Sequence, residues 1–171
     1  MALLWRFRTC TDAAAALLAL RDVWSLESVG ARGRRLRSRR RIRSGVEFIL
    51  ASTEQGDWAI RCLQNLLAFD LLLGAGHFGG RGPLGEGDRI PLRSPINGVE
   101  GCEVRNVVVV RTPLLPSGFT LPSGRVEFFT FVGMTDRELD FAKESGNEAL
   151  LTKLSSNGFF PVTDPRRQSV I

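Results

Sequence analysis

The chain offers few residues whose types and spacing could carry out chemistry. His77 is its only histidine, and it lies in a glycine-rich stretch with no serine or cysteine at a fixed spacing beside it. A hydrolytic triad needs a histidine placed between a nucleophile and a carboxylate, and a catalytic zinc ion usually takes more than one histidine. We therefore predict no catalytic residues, no metal site and no cofactor, and a protein that is not an enzyme.

One group of carboxylates lies close together, in the segment TDRELD. Asp136, Glu138 and Asp140 follow Thr135, whose hydroxyl could cap a helix while Glu138 reaches back to the backbone at Thr135. Acidic side chains in a first turn also interact favourably with the helix dipole. This spacing predicts a helix start rather than general acid and base catalysis.

Glycines and cysteines are two further residue types that can build sites. Residues 74–87, GAGHFGGRGPLGEG, hold seven glycines in fourteen positions and predict a loop, but they lack lysine and the GxxxxGK[ST] pattern of a phosphate-binding loop. Cys10, Cys62 and Cys102 are far apart, with no CxxC pair, which disfavours a disulfide framework and a zinc site. Unpaired cysteines fit a reducing compartment, so we expect a cytoplasmic protein.

Charge is divided unevenly along the chain. The formal net charge of the 171 residues is +5, but the first 45 residues carry +8 and the remaining 126 carry −3. Eight arginines lie within residues 32–43, where they could neutralise the phosphates of nucleic acid. The run has no lysine and no aromatic side chain to stack on bases, so nucleic acid is disfavoured as the main partner. A solvated basic tail remains open, as does a GC-rich gene read in the wrong frame or from too early a start.

From Gly45 onward the sequence predicts one folded domain. VEFILAS is typical of a strand, and the apolar block from Trp58 to Leu73 predicts a mostly buried helix. Its narrow polar face would consist of Asp57, Arg61, Gln64 and Asn65. Asp70 falls on the apolar side, where a carboxylate is costly unless it is paired. We expect Asp70 to face a partner group or the helix to unwind there.

The later segments predict a sheet with helices. Pro91 confines the extended run around Ile90 and Leu92 to a sheet edge. EVRNVVVVRT predicts a strand covered on both faces, and GRVEFFTFVGM predicts a second strand with one helix-covered side. TDRE and the similar SGNE, residues 145–148, each predict a helix start. The order of elements predicts an α+β fold, a mixed or antiparallel sheet with helices packed on one side. The apolar run AAAALLAL, residues 13–20, is too short to cross a bilayer, so no membrane association is predicted.

Six short segments match a known family in the same order. They are Gly45 to Phe48, Gln64 to Leu66, Gly87-Asp88 with Pro95 to Asn97, Gly124 to Val126 with Phe131 to Thr135, Glu138-Leu139, and Val162 to Arg167. By these segments, residues 45–171 resemble the Suppressor of fused (SUFU) domain. Residues 1–44 are left as an unmatched segment rich in arginine and alanine, in the place where family members carry further strands. The resemblance thus implies a SUFU-like fold that lacks its early part.

The resemblance also implies a protein-binding domain without enzymatic activity. Animal relatives have a second domain and sequester a zinc-finger transcription factor, which lies as an added strand between the two domains. Short bacterial relatives are similar to immunity proteins, which bind and neutralise a toxin domain, and this chain ends after the family's closing motif as they do. By position, Phe69 and Asp88 match an aromatic and an acidic residue that help to hold the partner strand in the animal relatives.

The predicted partner-binding residues are therefore Phe69, Asp88, Arg89 and Ile90. The edge from Asp88 to Leu92 would supply backbone hydrogen bonds to the partner. The alternative interpretations are Phe69 as a core residue and Asp88 as a turn residue. We expect an immunity protein whose mildly acidic body attracts a basic toxin. Sequestration of a transcription factor or another protein is the alternative, and nucleic-acid binding through the arginine run ranks behind both.

Overall fold

The computed structural model describes residues 3–8, 45–111, 113, 115–122 and 124–171. The arginine run, the AAAALLAL segment and Cys10 lie outside these residues, so the expectations about them stay predictions, as does the division of the chain at Gly45. Among the described residues, none of the helices combines the length and the apolar character needed to cross a membrane.

This part of the chain contains six strands and three helices. The strands are β1 (Leu3–Arg8), β2 (Gly45–Ser52), β3 (Arg89–Pro91), β4 (Val104–Arg111), β5 (Gly118–Leu121) and β6 (Gly124–Thr135). The helices are α1 (Asp57–Gly74), α2 (Asp136–Ser145) and α3 (Asn147–Ser156). The sequence does not predict β1 or β5, because β1 lies in the unmatched segment and β5 follows a proline-rich stretch that is typical of a loop.

The strands form one mixed sheet with β6 near its centre. Its order is β1-β2-β6-β4-β3, and β5 pairs with the beginning of β6 on the side opposite β2. β2 and β6 run parallel, with Phe48 beside Phe129, and the other neighbouring strands are antiparallel. The α+β class and the mixed sheet expected from the sequence are confirmed.

Helices cover both faces of this sheet. Val107 and Val109 of β4 pack with α1 in one hydrophobic core, the α1 core. Val108 and Val110 point the other way and pack with α2 and α3 in a second core, the α2 core. The expectation that the valine run is covered on both faces is confirmed. The expectation that the helices pack on one side is wrong, because a strand that is apolar at every position needs cover on both faces.

The long helix α1 has the expected division into polar and apolar faces. Its polar face is exposed and consists of Asp57, Arg61, Gln64 and Asn65. Cys62 lies outside this face and is buried in the α1 core. Burial raises the pKa of the Cys62 thiol to about 12, so this side chain stays neutral and acts as a small apolar filler.

Both predicted helix starts are confirmed, the first with its capping box at Thr135 and the second at Asn147, within residues 145–148 but without a cap from the Ser145 side chain. Glu138 N–H donates to Thr135 Oγ1 at 3.3 Å, and Thr135 N–H donates to Glu138 Oε2 at 2.8 Å. Ser145 is the last residue of α2, and Gly146 both ends α2 and precedes α3 with a φ of 88°. Because glycine takes this φ without steric cost, the chain can turn between the two helices within one residue.

A buried ion pair, which the sequence does not predict, holds the C-terminal segment against the start of α2. Arg167 donates two hydrogen bonds to the Glu138 carboxylate, at 2.5 and 2.6 Å, and a third to the Gly133 carbonyl at 2.9 Å. Burial alone would raise the pKa of Glu138, but the hydrogen bonds from Arg167 and from the N–H groups of Thr135 and Val170 lower it. The carboxylate therefore stays ionised inside the protein.

We expect Arg167→Met to lower the free energy of unfolding by about 3–5 kcal/mol at pH 7, because it leaves the Glu138 carboxylate buried without its cation. Chemical denaturation measures this loss. The matched control is Arg166→Met, which removes an ion pair with Glu54 in which the arginine side chain is 81% exposed. That pair should contribute less than about 1 kcal/mol. Equal losses from the two substitutions would contradict the importance of the buried pair.

The same pair makes stability depend on pH in acid. Because the pKa of folded Glu138 lies below its ordinary value of 4.5, its contribution is present above pH 4.5 and is lost as the pH falls through the lowered pKa. The difference in unfolding free energy between the wild type and Arg167→Met should therefore shrink across that window. A difference that stays constant would show that Glu138 is not the group involved.

Candidate partner-binding edge

β3 is the outermost strand on its side of the sheet, and one of its edges has no neighbouring strand among the described residues. Leu92 N–H donates to the Arg105 carbonyl at 2.9 Å, so Leu92 and Ile90, two residues before it, turn their backbone groups towards β4. Because bonding alternates along an antiparallel ladder, the backbone groups of Arg89 and Pro91 point away from β4. We call these outward-facing groups the open edge.

Pro91 suits this position, and the expectation that it confines the strand to an edge is confirmed. Proline has no N–H, and at Pro91 that group would have pointed to the open side, so the ladder with β4 loses no hydrogen bond. An added strand would find one donor on the open edge, the Arg89 N–H, and two acceptors, the carbonyls of Arg89 and Pro91.

A groove of about 320 Å³ lies beside the open edge, between β3 and α2. Arg89 and Pro91 share one face of β3 and lie on one side of the groove, and Leu139 and Lys143, one turn apart on α2, lie on the other. The rest of the lining comes from the end of the glycine-rich loop and consists of Arg81, Gly87 and Asp88. Four of the seven lining residues are charged, and Pro91 and Leu139 supply the apolar side chains.

Asp88 connects the groove to the glycine-rich loop. Its carboxylate accepts hydrogen bonds from Gly85 N–H at 2.9 Å and from Arg81 Nη2 at 3.3 Å. Its carbonyl accepts from Val109 N–H at 2.8 Å, which joins the loop to β4. These bonds support the interpretation of Asp88 as a turn residue. Because 31% of the side chain remains exposed and lines the groove, contact with a partner stays a prediction.

The other two predicted site residues, Phe69 and Ile90, do not line the groove. The Ile90 side chain is buried in the α1 core, on the opposite face of the sheet. Phe69 lies on α1, partly buried against the same core, with its ring 5.3 Å from the ring of Phe78. This position supports the interpretation of Phe69 as a core residue, and its contact with a partner stays a prediction. Of the four predicted residues, the structure brings together Asp88 and Arg89.

Asp70 anchors the glycine-rich loop, which is confirmed as a loop, to α1. Leu84 N–H donates to the buried Asp70 carboxylate at 2.6 Å. α1 continues to Gly74, so of the two expectations for Asp70 the structure supports pairing and not unwinding. Burial raises the pKa of Asp70; the hydrogen bond from Leu84 opposes this rise, and the nearby charge of Asp88 adds to it.

Sequence reasoning missed Arg81, Leu139 and Lys143 as residues of the groove. The four-residue spacing of Leu139 and Lys143 indicates that they share a helix face, but no pattern in the sequence places that face beside β3. Within the described ranges, histidine, cysteine, aspartate and glutamate side chains do not form a group of three or more that could hold a metal ion.

We expect Asp70→Asn to be neutral or stabilising at pH 7, because the amide oxygen can still accept from Leu84 N–H without a buried charge. Asp70→Ala, the matched control, leaves that N–H without a partner and should cost about 1–3 kcal/mol of unfolding free energy. Chemical denaturation of both variants measures these changes. A larger loss for Asp70→Asn than for Asp70→Ala would contradict the role of the hydrogen bond.

Asp70 should also give a pH dependence opposite in sign to that of Glu138. Because the pKa of folded Asp70 lies above its ordinary value of 3.8, the wild type loses stability as the pH rises from 3.8 through the raised pKa. Asp70→Asn should remove this loss of stability from the pH profile. If the profile is unchanged, the loss comes from the titration of another group.

The sequence matches a protein-family model described as Suppressor of fused protein (SUFU), over residues 15–168. The match begins upstream of Gly45. No match was found among curated proteins.

Solved structures that are similar to this chain include the following three. The first, the crystal structure of the Sufu–Fu complex, has a TM-score of 0.64 and 24% identity and aligns with 79% of this chain and 62% of that one. Drosophila Suppressor of Fused has a TM-score of 0.63 and 25% identity, over 75% and 33% of the two chains. A SUFU homolog from Neisseria gonorrhoeae has a TM-score of 0.55 and 21% identity, over 74% and 63%. The chain thus spans between a third and two thirds of the length of these proteins.

Proposed function

Because the chain belongs to the Suppressor of fused family, we propose that it is a protein-binding domain without enzymatic activity. The observation that carries this proposal is the open edge, whose Arg89 N–H lies beside a groove of about 320 Å³. An extended segment of a partner can add to such an edge as a further strand, with backbone hydrogen bonds giving affinity and side chains in the groove giving specificity. The Sufu–Fu structure, a protein complex, is consistent with a protein partner here.

We further propose that the chain is an immunity protein of the bacterial type, acting in the cytoplasm on a toxin domain. A toxin segment bound on β3 is held away from its own target, so neutralisation needs no chemistry from this chain. Residues 45–171 carry a net charge of −3, which favours encounter with a basic toxin. The similarity to the Neisseria gonorrhoeae homolog supports the fold on which this proposal rests.

Co-expression with the product of the adjacent gene tests the immunity role. We expect a complex that survives purification, and restored growth in cells that are inhibited when they make that product alone. A complex without any growth inhibition to relieve would favour the alternative function, sequestration of a regulatory protein. If neither a complex nor restored growth is observed, the result counts against toxin neutralisation.

Substitution on β3 tests the open edge itself. Arg89→Pro removes the outward N–H and places a ring where the partner strand would lie, so it should weaken the complex at least tenfold, the effect of losing about 1.4 kcal/mol. Isothermal titration calorimetry measures the change. Arg89→Lys is the matched control, because it keeps both the N–H and the positive charge and should weaken the complex much less than Arg89→Pro. A folded Arg89→Pro protein that binds like the wild type would place the partner elsewhere.

A further inference from the structure

The charge of the groove is opposite to that of the domain around it. Three cations and one carboxylate line the groove, and they are Arg81, Arg89, Lys143 and Asp88. The domain as a whole, residues 45–171, carries a net charge of −3. The Asp88 carboxylate is already engaged by Arg81, at 3.3 Å, and by Gly85 N–H, at 2.9 Å. The groove therefore presents an excess of positive charge to a segment that enters it.

Of the three cations of the groove, Arg89 is the one whose charge is least compensated by carboxylates. Arg81 pairs with Asp88, and Lys143 pairs with Asp140, 2.7 Å away on the same helix. In the described part of the chain, Arg89 forms no ion pair. The pair of Lys143 and Asp140 has side chains that are 57% and 69% exposed, so solvent weakens it and Lys143 can turn to a new carboxylate.

Two apolar side chains, Pro91 and Leu139, line the groove among these charges. Pro91 shares the face of β3 with Arg89, and Leu139 lies one turn before Lys143 on α2. A strand added on the open edge would place every second side chain over this face, at intervals of about 7 Å. A side chain beside Arg89 then meets the cations, and the next one on the same face meets Pro91 and Leu139.

We propose that the partner segment carries a glutamate or aspartate whose carboxylate is bound by Arg89 and Lys143. An apolar side chain, two residues away in the segment, packs against Pro91 and Leu139. This inference rests on the proposed function, since it names the chemistry of the segment that the open edge receives. A guanidinium can bind a carboxylate through two parallel hydrogen bonds, which distinguishes it from an amide or an ammonium group. A partner of net positive charge remains compatible, because encounter depends on the whole surface and this contact on one residue.

Synthetic peptides provide the probes for this proposal. The first is Val-Thr-Glu-Thr-Val-Thr with acetylated and amidated ends, which places valines two residues from the glutamate on the same strand face, and two matched peptides have glutamine or lysine in place of glutamate. Each is titrated into the full ¹⁵N-labelled chain, and the resonances of the Arg89 backbone amide and of Arg89 Nε–H are followed by NMR. The glutamate peptide should bind at least fivefold more tightly than the glutamine peptide, and the lysine peptide most weakly. The preference should decrease as salt is added, because salt screens the charge contact.

Variants of the full chain separate this proposal from the proposed function. Arg89→Gln keeps the backbone N–H and should lose the preference for glutamate, and Arg89→Glu should reverse it in favour of lysine. Arg125→Glu makes the same charge change on β6, outside the groove lining, and should leave the preference intact. Equal binding of the three peptides would overturn the acidic segment while leaving strand addition supported. If no peptide shifts the Arg89 resonances, both strand addition at this edge and the acidic segment are overturned.

Discussion

Burial of β4 and β6 on both faces is the constraint on which the rest of this structure depends. Val108 and Val109 are adjacent in the chain and belong to different cores, so α1 must cover one side of the sheet and α2 with α3 the other. Once both faces are covered and the central strands are paired, their backbone groups are no longer available to a partner. Free backbone hydrogen-bonding groups then remain at the strand edges, and the open edge of β3 has them beside a groove. The location of the candidate site follows from how the core is built.

Hydrogen bonds from polar side chains fix the position of this edge, because the glycine-rich loop that leads into β3 does not favour one conformation by itself. Residues 74–87 are half glycine, and glycine loses more conformational freedom on folding than other residues. Asp70 binds Leu84 N–H from α1, and Asp88 binds Gly85 N–H within the loop. Asn147, at the start of α3, donates to the Gly87 carbonyl at 2.9 Å. The loop is thus tied to helices on both faces of the sheet before β3 begins.

The C-terminal segment is held in place by close packing at Gly133 of β6 as well as by the ion pair of Arg167 with Glu138. A side chain at Gly133 would have its Cβ 2.6 Å from atoms of both Val104 and Thr163, so glycine is needed for the segment to lie against β6. Thr163 accepts from Gly133 N–H at 2.9 Å, and Arg167 donates to the Gly133 carbonyl. Glu138 therefore serves two elements, because it caps α2 and also binds the arginine that holds the end of the chain.

The sequence by itself determined the elements whose causes are local. The capping box at Thr135, the apolar run of α1, the edge position of Pro91 and the loop at residues 74–87 all follow from residues that lie within a few positions of one another. The helix start within residues 145–148 is local in the same way, because Gly146 with its φ of 88° separates α2 from α3. The family resemblance, carried by short segments in a fixed order, indicated the α+β fold in the same way.

Tertiary structure alone decided the contacts between distant segments. Glu138 and Arg167 are 29 residues apart, and Arg89 of β3 shares the groove with Lys143 of α2. Composition shows that such charges exist, but their partners depend on which faces the packed elements turn to one another. The side of the sheet that each helix covers is settled in the same way, because burial of apolar surface has no direction and any arrangement that covers both faces satisfies the pattern. For this reason the sequence predicts the open edge, whereas the charge of the groove beside it depends on how the folded chain brings β3 and α2 together.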